Sequence, residues 1–93
     1  MIMPTVGRSI WYYPPGRLPY DQPHAAIITH VFSNRMVNLA IFHRNGNPFV
    51  DPPTSIALVQ EGDSTPPASQ GYCTWMPYQI EKAEARKAEA AAT

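Results

Sequence analysis

The sequence predicts a small, mainly all-β protein: a five-stranded antiparallel barrel of the SH3-like or OB-like kind, followed by a short C-terminal helix. Three observations carry that prediction. β-branched and aromatic residues gather in short runs; the prolines, 11 in 93 residues, fall between those runs; and from about residue 79 the composition changes to Glu, Lys, Arg and Ala. Pro fixes its own φ and cannot donate to a ladder, so Pro14-Pro15, Pro19, Pro23, Pro52-Pro53 and Pro66-Pro67 cut the chain into short elements and exclude long central helices. Closing such a sheet on itself removes its exposed edges. The predicted boundaries are residues 1–78 for the barrel and 79–93 for the helical tail.

Residues 6–13 form the first predicted strand, with Val6, Arg8, Ile10 and Tyr12 alternating against Gly7, Ser9, Trp11 and Tyr13. Pro14-Pro15-Gly16 ends it, and a Pro-broken polar loop runs to Pro23. Residues 25–32 and 36–42 then read as a hairpin about Ser33-Asn34-Arg35, where Asn34 accepts a left-handed backbone. Both arms carry apolar residues on both faces (Ile27, Ile28, Val31, Phe32; Val37, Leu39, Ile41, Phe42), which predicts a central hairpin covered on each side. Arg44-Asn45-Gly46-Asn47-Pro48 is a turn signal. Irregular chain over 49–53 leads to a fourth strand at 55–59, a long polar loop over 61–71, and a fifth strand at 72–76 stopped by Pro77.

The tail has good helix formers and no Gly or Pro. After Ile80 it offers alanine as its only apolar residue, so it reads as a solvated helix, with an oligomer contact through its alanine face as the sharper alternative.

Charge narrows the function. Lys plus Arg and Asp plus Glu are both 7, a formal net charge of zero, which argues against a protein that grips nucleic acid by its phosphates. A small anionic ligand is still served by a few placed Arg residues. The lone Cys73 has no internal disulfide partner, no stretch reads as a secretory signal, and no apolar run reaches membrane-spanning length, so the chain is expected in the cytoplasm and off the membrane. Met3 offers an alternative start.

Pro4-Thr5-Val6-Gly7-Arg8 leading to Tyr12, then Ala26-Ile27-Ile28, Val37-Asn38-Leu39 with Phe42, and Thr74-Trp75-Met76-Pro77-Tyr78-Gln79 form an ordered set over residues 4–79. In this the chain resembles small uncharacterised proteins of tailed phages and prophages that begin with a PTVGR-type strand and finish with a Trp- and Pro-containing one. Those proteins commonly end in Trp-x-Trp-Pro. Here Cys73 stands in the first tryptophan's place when Trp75 is matched to the second, and Met76 intervenes before Pro77. The resemblance implies a phage or prophage origin and action in the host cytoplasm. It implies no mechanism; the expectation of an accessory role that sequesters nucleotide-derived host signals comes by analogy of size and lifestyle with unrelated small phage proteins.

Catalytic constellations are missing from the sequence. His24, His30, His43 and Cys73 show no metal-ligand spacing; Cys73 has no neighbour to activate its thiol; Asp51, Glu61 and Asp63 show no acid–base pairing; and Gly46, Gly62 and Gly71 are isolated turn glycines. The expectation is a non-enzyme without cofactor. What remains is a binding surface: Arg8, Trp11 and Tyr12 on the first strand, Asn38 within an apolar strand, and Trp75 and Tyr78 at the last, offering a guanidinium for phosphate and rings for a base. The competing reading gives Trp11 and Trp75 to packing, and Asn38 to a local backbone kink. The leading expectation is a sponge for a small nucleotide-type ligand, acting as a homo-oligomer whose interface completes the pocket. The alternative is an interaction module that inhibits a host protein or serves in the virion.

Overall fold

The computed structural model describes residues 1–92, with side chains for residues 1–89. Its elements are β1 (Ser9–Tyr13), β2 (His24–Ser33), β3 (Met36–Ile41), β4 (Ile56–Val59), β5 (Tyr72–Thr74) and α1 (Pro77–Ala92). The strands close into a barrel in the order β1-β2-β3-β4-β5. Thr93, at the end of the expected tail, lies outside the described residues.

Four of the pairings are antiparallel, and β4 runs parallel to β5, with Ala57, Leu58 and Val59 opposite Tyr72, Cys73 and Thr74. A parallel pair needs a long crossover, and the polar loop before β5 supplies it. Arg17 braces that loop: its guanidinium donates to the carbonyls of Gln70 at 2.7 Å and Pro66 at 3.1 Å and lies 4.5 Å from the Tyr72 ring centre. Tyr72 in turn stacks on Tyr13.

β1 is shorter than the sequence predicts. Gly7 takes φ +92°, and Arg8 N–H donates to Thr5 O, so the chain turns at Val6-Gly7 and leaves Val6 exposed before the strand begins. Ile10 and Tyr12 then face the core, while Ser9, Trp11 and Tyr13 face outward.

The hairpin is present, but the expectation that both its faces are covered is not met. Ala26, Ile28, Val37, Leu39 and Ile41 are buried, whereas Ile27, Phe32 and Met36 are exposed. A register shift between Ile28 and His30 leaves Thr29 as the extra residue of a bulge, so that Val31 pairs with Val37 and packs against the core. The reset turns Val31 inward, while Ile27 and Phe32 stay exposed, so the strand is covered on one side only.

The core unites Ile10, Tyr12, Ile28, Val37, Leu39, Ile41, Ile56, Leu58, Cys73 and Trp75, with Ile2, Phe49 and Ile80 packed against it. Ile2 and Ile80 matter for function, because they bring the chain's beginning and the first turns of α1 to the same end of the barrel. Past Ile80 the described helical side chains are exposed except Ala83. The molecule measures 46 Å along its longest axis against 26 and 24 Å across.

Candidate anion-binding groove between the barrel and the helix

Two hydrogen-bonded glutamines attach α1 and the N-terminal segment to the barrel. Gln79 accepts from Met76 N–H at 2.8 Å through Oε1, closing the first helical turn as a side-chain cap, and its Nε2 donates to Ser9 O at 2.9 Å. Gln60, 3% exposed, is the buried polar residue of the core among the described residues. Its Nε2 donates to Ile2 O (3.0 Å) and Asn34 O (2.8 Å), and its Oε1 accepts from Trp75 Nε1 (3.0 Å) and Ile2 N (3.3 Å). One side chain thus ties the N-terminal segment, the hairpin tip and the end of β5.

Docked in this way, α1 and the barrel enclose a groove of about 510 Å³ lined by Ile2, Met3, Arg8, Ser9, Tyr78, Gln79, Lys82, Ala83 and Arg86. Arg8 stands on the barrel wall and Lys82 and Arg86 on the helix wall; none of these lining residues is acidic. Arg8 lies 5.5 Å from the Trp75 ring centre, and one guanidinium nitrogen donates weakly to Met3 O at 3.5 Å. The Trp75 contact orients the guanidinium. On the other flank of the helix, Glu61, Glu84 and Lys87 line a second groove with Trp75 and Ile80. α1 therefore carries a cationic face toward Arg8 and a mixed face toward Glu61.

The sequence-predicted site divides. Arg8 and Tyr78, which is half exposed, meet in the groove. Trp75 is 3% exposed and acts beneath it, holding Arg8 from one side and Gln60 from the other. Tyr12 is likewise a core residue, and burial, followed by the neighbouring Cys73, raises its hydroxyl pKa. Trp11 lies on the outer face of β1 opposite Ala25 and Thr74. Asn38 belongs elsewhere: its Oδ1 accepts from Ser55 N–H at 2.7 Å, and Ser55 has φ +55°. Of the two roles open to that amide, the structure places it at the backbone kink, where it steadies a left-handed residue before β4.

Lys82, Arg86 and Gln79 are the groove residues that sequence reading missed, because the tail read as solvated. The signal for two of them is the i, i+4, i+8 spacing of Tyr78, Lys82 and Arg86, which puts a ring and two cations on one helical face.

Elsewhere the chemistry is that of packing. Burial pushes the Cys73 thiol up to about 12, and its Sγ contacts Ala57 O at 3.5 Å. His24 and His43 flank Phe49, while His30 packs edge-on to Phe32 on the hairpin. No three His, Cys, Asp or Glu side chains gather as a metal site among the described residues. Gly71 is a packing glycine, not a turn glycine as expected: a Cβ there would lie 2.9 Å from the Tyr12 hydroxyl and 3.2 Å from Pro15. No described helix is long and apolar enough to cross a membrane.

Compared with protein-family models, with curated proteins and with solved structures, the chain matches none.

Proposed function

We propose that this protein is a binding module that holds a small phosphate-bearing ligand of nucleotide type in the groove between β1 and α1. The observation that carries the reading is the convergence of Arg8, Lys82 and Arg86 with the exposed ring of Tyr78 in one groove without a lining carboxylate. The whole chain is neutral, so this concentration of positive charge comes from placement. Guanidinium groups bind phosphate oxygens through charge-assisted, often bidentate hydrogen bonds, and Lys adds a mobile point charge. Tyr78 supplies a face on which a base stacks. Binding of this kind needs no turnover. Together with the resemblance to phage and prophage proteins, it supports a sequestering role in the host cytoplasm.

A ligand held only by the native state raises the melting temperature. With a panel of ADP, cyclic dinucleotides and cyclic ADP-ribose isomers, at least one compound is expected to raise the midpoint by several degrees. Arg8→Gln and Arg86→Gln each reduce that shift, whereas Asn38→Ala lowers the unliganded midpoint and keeps the shift. A panel without any shift, or a shift indifferent to both arginine variants, overturns the reading.

A second reading has its own observation. Ile27, Phe32 and Met36 are exposed apolar residues on the hairpin, which suits a protein-interaction module.

A further inference from the structure

We infer that the groove's ligand is also a staple: a phosphate bound between Arg8 and the Lys82–Arg86 face fixes α1 against the barrel, making the helix a ligand-responsive arm. This rests on the binding reading above and adds a conformational consequence to it.

The attachment of α1 is lopsided. Its first turns are held by Gln79 on Met76 N–H and Ser9 O, and by Ile80 on the core. Beyond Ile80 its described apolar residues are alanines, of which Ala83 is half buried and Ala85 and Ala88 are exposed. A segment of this length with so narrow an apolar stripe is a marginal helix on its own. The charges on its two flanks also work against docking. On one flank Lys82 and Arg86, like charges at i, i+4, face Arg8 across the groove. On the other, Glu84 meets Glu61, with Lys87 as the opposing charge.

An anion in the groove reverses the first of these terms. Phosphate oxygens between the walls replace repulsion between three cations with attraction from each to a common centre. The ligand binds the docked helix with both walls and an undocked helix with one. That differential affinity shifts the population toward the docked state. The order of residues 80–89 is thereby coupled to occupancy.

The test is amide hydrogen exchange of the full chain with ADP and, separately, inorganic pyrophosphate. Sodium chloride at matched ionic strength is the control, and binding is followed in parallel by calorimetry. At ligand concentrations about ten times the measured dissociation constant, exchange over residues 80–89 is expected to slow by up to about tenfold, with the barrel strands unchanged. Arg8→Gln should remove this protection while leaving weaker binding through Lys82 and Arg86. Measurable binding with unchanged exchange over 80–89, or full protection in Arg8→Gln, overturns the staple and leaves the binding reading standing. No binding of either probe overturns both. Protection by pyrophosphate alone locates the effect in the phosphates, and protection by ADP alone adds the base on Tyr78 to it.

Discussion

Gln60 shows how one buried amide organises the end of the barrel that carries the groove. Both ends of its side chain are satisfied, by Ile2, Asn34 and Trp75, and its own N–H donates to Asp63 Oδ2 at 3.0 Å. Gln60→Leu keeps the volume but leaves the Trp75 indole N–H and the Ile2 and Asn34 carbonyls without this partner. Each orphaned buried group costs about 1–3 kcal/mol, so a loss of at least about 2 kcal/mol in chemical denaturation is expected, accompanied by a shift in Trp75 fluorescence. An unchanged midpoint would mean that water replaces the amide. None of this is legible in the sequence, where Gln60 sits between a strand and a polar loop. The same holds for Trp75 and Tyr12: residue type announced large aromatic payloads, but only the closed barrel decides which rings are spent on the core and which, like Tyr78, stay outside. Arg8 is legible as a cation beside an aromatic strand, open to either a solvent-facing stem or a ligand contact, and the groove it lines depends on a helix 70 residues away. Asn38 was legible as a polar interruption, yet its partner Ser55 is 17 residues away, beyond the reach of local pattern.

At the scale of elements, strand runs bounded by Pro clusters located all five strands, and the change of composition located α1. The discrepancies have physical causes: the Gly7 turn shortens β1, and the Thr29 bulge resets the alternation of β2 and turns Val31 inward, while Ile27 and Phe32 stay exposed. The helix is recognisable in the sequence, but its cationic face reads as solvation because nothing in the chain's order says that Arg8 stands opposite. Its other face makes a pH-dependent prediction. A shared hydrogen bond with Glu61 and then that residue's charge raise the Glu84 carboxyl above the usual range, with Lys87 opposing. A carboxyl raised in the folded state takes up a proton more readily there. Docking of α1 is therefore favoured as pH falls through that raised value and loses the contribution as pH rises through it. Asp63 has the opposite sign. The Arg35 hydrogen bond and then the Gln60 N–H lower its carboxyl, so its contribution is present above the ordinary carboxylate range and is lost as pH falls through the lowered value. Helical ellipticity at 222 nm is expected to increase on mild acidification of the native chain. Glu84→Gln should remove most of that change and raise the value at neutral pH. A pH-independent signal in the native chain would contradict the pair's role.

For the molecule as a whole, the central fact is how a neutral chain distributes its charge. The barrel buries a compact apolar core and leaves few polar groups inside it; α1, laid across one end, gathers Lys82 and Arg86 opposite Arg8 while turning Glu84 toward Glu61. Net charge argues against a broad polyanion surface, and the groove of Arg8, Lys82 and Arg86 is where we propose a focused anion site. The most direct measurement is calorimetric titration of ADP into the native protein and into the Arg8→Gln/Lys82→Gln/Arg86→Gln triple variant, at low and at physiological salt. Saturable binding by the native protein that weakens as salt rises is expected, with loss of at least tenfold in affinity in the triple variant at an unchanged barrel fold. Equal affinity in the two proteins, or no heat from the native one at millimolar ADP, would contradict the proposed site.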